Sequence, residues 1–128
     1  MNHFIICVAL VMSLCVISIS AQQSSKVEEL TVDEARKITP FPPVGLTTTY
    51  THKGVALTWK RHALDIITKY GVYRSRGKGA FHRIATTSNS TFFDKKGRCN
   101  DMYTVTAISA EHPESPRSAS IKVTNCKR

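Results

Sequence analysis

The chain has 128 residues, with eighteen Lys and Arg against nine Asp and Glu, a formal charge of +9. That length holds one domain with a tail and leaves little room for an enzyme with its own cofactor domain. Four Cys, six Gly and five Pro exclude a disulfide-dense miniprotein and a collagen-like chain, and 41% apolar residues exclude a wholly disordered one.

Residues 4–19 contain fourteen apolar residues out of sixteen, the exceptions being Ser13 and Ser18. A membrane-spanning helix needs roughly 20 apolar residues, so this run is short. Small residues follow at Ser18, Ser20 and Ala21, then the polar Gln22 and Gln23. The pattern is that of a secretory signal peptide over residues 1–21, cleaved after Ser20 or Ala21. An uncleaved anchor is the alternative, since only the amino terminus and His3 supply charge ahead of the run. Cleavage removes Cys7 and Cys15 but no acidic or basic side chain, so the whole charge falls on the mature chain. Cys99 and Cys126 remain, and an even count in an oxidising compartment points to one disulfide.

Residues 22–39 hold no aromatic, Gly or Pro and carry four of the nine acids, Glu28, Glu29, Asp33 and Glu34. Thr31 and Glu34 have capping-box spacing, but a helix over residues 32–38 is too short to stand alone. The segment reads as an acidic, mostly disordered tail, with a propeptide or docking segment as alternatives. Pro40-Phe41-Pro42-Pro43 is stiff and extended, and the domain boundary falls there, leaving 40–128 as the folded body.

Within that body the apolar pattern has period two. Val55, Leu57 and Trp59 alternate with Ala56, Thr58 and Lys60; Tyr103, Val105 and Ala107 alternate with Thr104 and Thr106; Ala119, Ile121 and Val123 alternate with Ser120 and Lys122. Tyr70 and Val72 flank Gly71 in the same way. One buried face and one wet face mark antiparallel strands. Turn signals at 52–54, 77–79, 88–90, 96–97 and 112–114 separate them, a spacing expected of a β-sandwich or small barrel. Phe81 and Ile84 break strict alternation, which predicts a bulge in that strand.

These residues resemble a fibronectin type III domain. Pro42-Pro43-Val44-Gly45-Leu46 is similar to the family's opening strand, Leu57-Thr58-Trp59 to its second, and residues 70–75, Tyr-Gly-Val-Tyr-Arg-Ser, to its third. Phe81, Phe93-Asp94, residues 103–107 and residues 114–118 continue the pattern in order. The resemblance covers about 40 to 126 and implies an all-β fold, a seven-stranded antiparallel sandwich of fibronectin type III type. It implies a core that includes Trp59, Tyr70, Val72, Phe93, Tyr103 and Val105, with the Tyr103 hydroxyl anchoring a corner. Arg-Gly-Asp and Trp-Ser-x-Trp-Ser motifs are absent from the sequence, so those two roles of the family are not implied.

In that topology the last two strands form a hairpin centred between His112 and Pro113. Cys99 and Cys126 lie equally far from the centre, so uninterrupted pairing sets them opposite each other. Most members of the family lack such a bridge. A reactive thiol is the other reading, less suited to a secreted chain.

The same topology sorts the loops onto two ends. One end gathers Lys53, Arg74, Arg76, Lys78, Lys95, Lys96, Arg98, Lys127 and Arg128, with Asp94 and Asp101 as the nearest acids. Residues 40–128 hold fifteen Lys and Arg against five Asp and Glu. Such a pole concentrates anions, and Arg forks onto sulfate, phosphate or carboxylate. The expected partner is an anionic extracellular glycan or a cell-surface or matrix protein; plain solvation, with cations guarding against aggregation, is the alternative. Nucleic acid fits poorly, because no aromatic ladder interleaves the cations.

The opposite end carries residues 60–65, 88–91 and 110–114. Asn89-Ser90-Thr91 is an N-glycosylation sequon in a turn. Leu64, Ile66 and Ile67 form a small apolar group, read first as core packing and second as a docking patch. No nucleophile elbow, zinc-protease helix or phosphate loop is present. His62 and His112, near Glu111, Glu114 and Asp65, read as exposed loop histidines rather than a weak metal site. The sequence therefore describes a secreted binding module with no catalytic residue, metal or cofactor, and no membrane span in its mature form. A soluble ligand or modulator of a cell-surface receptor, or a matrix component, is the second reading.

Overall fold

The computed structural model describes residues 38–127. The signal-peptide reading of 1–21, nearly all of the 22–39 tail, and Arg128 lie outside the described residues. Period-two alternation produces seven strands: β1 (Thr47–Thr51), β2 (Gly54–Thr58), β3 (Ile67–Ser75), β4 (His82–Thr87), β5 (Thr91–Asp94), β6 (Met102–Ser109) and β7 (Ile121–Lys122). They form two antiparallel sheets, ordered β1-β2-β5 and β4-β3-β6-β7, and the described residues contain no helix. This is the seven-stranded sandwich of fibronectin type III type.

The core lies between the sheets. Val55 and Leu57 of β2 face Tyr70 and Val72 of β3 and Tyr103, Val105 and Ala107 of β6, joined by Trp59, Ile67 and Val123. Full burial of one such side chain is worth about 1.5–3 kcal/mol. Trp59 sits one residue beyond β2, and its edge meets the Tyr70 ring with centroids 5.5 Å apart. Its backbone N–H donates to the Ser90 carbonyl (3.0 Å), which continues the β2–β5 ladder past the strand's end.

Phe93 is not a core residue. Registry places Leu57 opposite Phe92 and Val55 opposite Asp94, so residues 92 and 94 point inward and Phe93 points out, 42% exposed. Phe92 packs against the core in its place.

Three strands depart from the sequence pattern, each for a local reason. The opening strand starts at Thr47 and not at Pro42, because two prolines lack N–H donors and Gly45 adopts φ +72°. Val44 is nonetheless tied to the sandwich by the Lys60 N–H (2.9 Å). In β4 the register jumps between Val72↔Ala85 and Tyr73↔Arg83, so Ile84 is the extra residue of a bulge, as the broken alternation predicts. The last strand shrinks to two residues. Ahead of it, Ser115 and Ser118 satisfy β6 with their side chains: their hydroxyls accept from the N–H groups of Ala107 (2.8 Å) and Val105 (3.0 Å).

That irregular approach shifts the final pairing by one residue from a symmetric hairpin, to Met102↔Lys122 and Tyr103↔Ile121. The Cys99–Cys126 disulfide still forms, with Cα atoms 5.8 Å apart. It fastens the β5–β6 connection to the carboxyl-terminal segment. Replacing both cysteines with Ser should lower the unfolding free energy by about 2–4 kcal/mol in denaturant titration.

Gly97 is required for close approach. A Cβ there would stand 2.5 Å from the Tyr103 hydroxyl and 2.7 Å from a Val55 methyl. Gly97→Ala should therefore destabilise the fold by about 1–3 kcal/mol through overpacking, read as a lowered denaturation midpoint at unchanged slope.

Candidate functional site

The β1–β2 turn, the β3–β4 connection, the β5–β6 connection and the carboxyl-terminal segment meet at one end of the sandwich. Several bonds hold them together. Arg76 Nη2 donates to the Lys96 carbonyl (2.6 Å) and its Nε lies 3.4 Å from Asp101 Oδ1. Asp101 also accepts from the Arg98 N–H (2.9 Å), and Asp94 Oδ1 accepts from the Lys96 N–H (3.0 Å). Gly54, at φ +146°, closes the first turn against the Asp94 backbone, where any Cβ would collide with the carbonyl oxygen at 2.3 Å.

Arg74 does not belong to the open surface of this pole. It shares its inward parity with Tyr70 and Val72 and stands opposite Tyr103 in register. Its Nη1 donates to Asp94 Oδ2 at 2.6 Å, and its side chain is 16% exposed. The Tyr103 hydroxyl donates to the same oxygen at 2.7 Å. Asp94 is 6% exposed. Burial alone would raise its pKa, but hydrogen bonds from Tyr103, Arg74 and the Lys96 N–H, with the Arg74 charge, hold it below the ordinary value. Burial and the adjoining Asp94 carboxylate push the Tyr103 phenol well up. Burial works against the Arg74 charge, and the bond and charge of Asp94 outweigh it, so its pKa rises. This trio joins β5 of one sheet to β3 and β6 of the other.

Arg76 is partly committed as well, 43% exposed and held by Asp101 and the Lys96 carbonyl. The cations left to solvent are Lys53, Lys78, Lys95, Lys96, Arg98 and Lys127. None of these six enters the three ion pairs found among the described residues. Both acids at this end are buried beside arginines, so the accessible charge is positive. A groove of about 380 Å³ opens here between the edges of β4 and β5. Ile84, Phe92 and Phe93 give it apolar walls, and Lys95 and Lys96 supply cations. It can hold an anionic group attached to an apolar body.

The opposite end is different. Leu64 and Ile66 are exposed, as are Phe41 and Val44, while Ile67 alone of the predicted apolar group is buried. Core packing thus accounts for only one of the three. His62 is a structural residue: its Nδ1 accepts from the Leu64 N–H (3.1 Å), which leaves Nε2–H to donate to the Phe41 carbonyl (3.0 Å). Both ring nitrogens are used, so it is not disposed to ligate a metal. Among the described residues no group of three or more His, Cys, Asp or Glu side chains is arranged to hold one. Asn89 is exposed in the β4–β5 turn.

A second polar cluster was not singled out in the sequence. On the outer face of the larger sheet, the guanidinium groups of Arg83 (5.2 Å) and Arg117 (5.4 Å) lie over the Tyr73 ring, and Arg117 also lies over Phe81 (5.5 Å). Glu114 accepts from Tyr73 (2.7 Å), Thr106 (2.5 Å) and Arg83. Burial opposes the Glu114 charge, but these three donors keep its pKa low. The same cover explains why Thr106, expected on a wet face, is buried. The pairing of Tyr73 with Arg83 across β3 and β4 was the available signal, hidden by the bulge that offsets their spacing.

Comparison with known proteins agrees with this architecture. No protein-family model matches the chain, and no curated protein matches its sequence. Among solved structures, a fibronectin type III-like protein from Clostridium thermocellum is 26% identical, with a TM-score of 0.56 over 66% of this chain and 92% of that one. A chain of a cytokine receptor complex is 17% identical, with a TM-score of 0.59 over 74% of this chain and 56% of its own length. A myokine structure is 17% identical, with a TM-score of 0.51 over 65% of this chain and 94% of that one. The fold is fibronectin type III-like.

The buried trio sets a pH dependence. Asp94 has a lowered folded-state pKa, so its stabilisation is present above the ordinary carboxylate value of about 4 and is lost as pH falls through the lower folded value. Asp94→Asn should cost about 3 kcal/mol at neutral pH by stranding Arg74. It should also flatten the acid limb of the Tm–pH curve, with Glu114 supplying the slope that remains. An unchanged acid limb would refute the assignment.

Proposed function

We propose that the protein is a secreted, non-enzymatic binding module that engages an anionic extracellular partner, a sulfated glycan or a similarly acidic surface, through its basic pole. One observation carries the reading: six exposed cations from three loops and the carboxyl-terminal segment share one end, while the acids of that end are buried against arginines. Unopposed charge of one sign concentrates anions and speeds their encounter. Support for secretion comes from the apolar run at residues 4–19 and from the Cys99–Cys126 bridge, a bond characteristic of oxidising compartments. Support for binding rather than catalysis comes from the fibronectin type III-like fold. No helix among the described residues is long and apolar enough to cross a membrane.

A protein partner is the second reading. It is favoured by the Arg83–Tyr73–Arg117 face, since Arg and Tyr are the residues that anchor protein interfaces. The fold shared with a chain of a cytokine receptor complex is consistent with it.

Heparin chromatography across a salt series separates the two. The informative variant reverses Lys78, Lys95, Lys96 and Arg98 to Glu and leaves Arg74 and Arg76 in place, because they hold the fold. Four exposed ionic contacts at about 0.5 kcal/mol each give about 2 kcal/mol, about thirtyfold in affinity. The wild type should be retained at physiological salt, and the variant should elute far earlier. Equal elution of the two, or no retention at physiological salt, would refute the anion reading and direct attention to the Tyr73 face.

A further inference from the structure

We propose that Asn89 carries an N-linked glycan, and that this glycan covers the side of the sandwich where the sheets end in the edge strands β4 and β5. The inference rests on the secretion reading above.

Strand order sets the geometry. β1 and β7 are the edge strands on one side of the molecule and lie near each other. On the other side the outermost strands are β5 in one sheet and β4 in the other, and the groove lined by Ile84, Phe92 and Phe93 runs between them. The turn that joins these two strands carries Asn89 at its exposed tip. The sequon residue Thr91 is exposed and is the first residue of β5. Neither the Asn89 carboxamide nor the Thr91 hydroxyl makes a hydrogen bond within the described residues; only the Asn89 backbone N–H is engaged, by Thr87 Oγ1 (3.1 Å). The acceptor is thus presented on a fixed turn with its reactive group free.

The two edges are unequally protected. β4 has a bulge at Ile84 and an outward Arg83, devices that discourage pairing with another chain. β5 has neither. The Trp59-to-Ser90 bond fixes the alternation of its ladder with β2, so Phe92 and Asp94 occupy the hydrogen-bonded positions. The backbone N–H and C=O groups of Thr91 and Phe93 therefore point away from the sheet. With an exposed Phe93 beside them, they offer a template for a second copy. A bulky, hydrated glycan two residues before Thr91 stands over that template.

In the modification, Asn89 Nδ2 forms a bond to the anomeric carbon of an oligosaccharide carried on a lipid diphosphate. The carbon–oxygen bond to the diphosphate breaks, the lipid diphosphate leaves with the electron pair, and the amide gives up one proton. The donor and its transferase are those of the secretory lumen.

The test is to express the full chain with its own leader in eukaryotic secretory cells and to measure intact mass from the medium before and after peptide N-glycosidase. The expected result is a glycan mass that the enzyme removes while converting Asn89 to Asp. Asn89→Gln and Thr91→Ala should each abolish it, and Ser90→Ala should retain it. In sedimentation, the glycosylated chain should stay monomeric. Asn89→Gln should self-associate as concentration rises, and adding Phe93→Lys should restore the monomer. A secreted, disulfide-linked chain with unmodified Asn89 would overturn the site. Equal monomeric behaviour with and without the glycan would overturn its covering role. A chain that never reaches the lumen would overturn the site and the secretion reading together.

Discussion

The contact on which the basic end depends is the one between Asp94, Arg74 and Tyr103. It is the polar link across the sandwich, binding β5 of the three-stranded sheet to β3 and β6 of the four-stranded one. A carboxylate this deeply buried is costly unless its lone pairs are filled. Here Oδ2 takes the guanidinium and the phenol, and Oδ1 takes the Lys96 N–H. The last of these bonds also shapes the connection that follows β5. Gly97 is then confined against the Tyr103 hydroxyl, so the loop's path and the trio's geometry determine each other.

The consequence reaches the surface. The pole contains acids as well as bases, and the fold decides where their charges cancel. It draws Asp94 and Asp101 inward and assigns each an arginine. Two cations are withdrawn from the surface in whole or in part, and six remain in solvent without an acidic neighbour in ion-pair contact. The disulfide adds to the effect, because it holds the carboxyl-terminal segment, with Lys127, beside the β5–β6 connection. Structure thus turns a basic composition into a directional field.

How much of this was legible in the sequence varies with the physics involved. Period two marks the central strands well, because Tyr103, Val105 and Ala107 alternate with Thr104 and Thr106, and Val55 and Leu57 share one parity on either side of the small Ala56. It also signals that Arg74 faces inward, since 70, 72 and 74 share parity, whereas its charge and its place at the end of β3 suggest the loop pole. Phe92 and Phe93 are a case where pattern alone is silent. Adjacent phenylalanines satisfy either parity, and only the register of β5 on β2 decides which is buried. The carboxyl-terminal strand is shorter than its alternation suggests for a different reason. Pro116 has no N–H to donate, and the hydroxyls of Ser115 and Ser118 replace backbone acceptors, so pairing proceeds with little strand geometry. The cysteines tolerated the resulting one-residue shift because a disulfide requires proximity of two Cα atoms and not a particular register.

The same fold that concentrates charge at one end leaves other surfaces with distinct chemistry. The Tyr73 face holds Arg83 by the Tyr73 hydroxyl and Glu114 and Arg117 over the Tyr73 and Phe81 rings, so it presents planar guanidinium groups and not mobile ammonium ions. Rigid Arg and Tyr side chains lose little conformational freedom on binding, which suits a shaped protein surface. Lys53, Lys78, Lys95, Lys96 and Lys127 are flexible point charges, suited to a partner whose anionic groups vary in position, as along a polymer. A ligand that uses the pole is therefore expected to bind with steep salt dependence and loose geometry, and one that uses the sheet face with the reverse. The two surfaces meet at the β3–β4 connection, which supplies Lys78 to the pole and Phe81 to the Tyr73 face, so the same short segment carries mobile charge at one point and a ring beneath an arginine at the next.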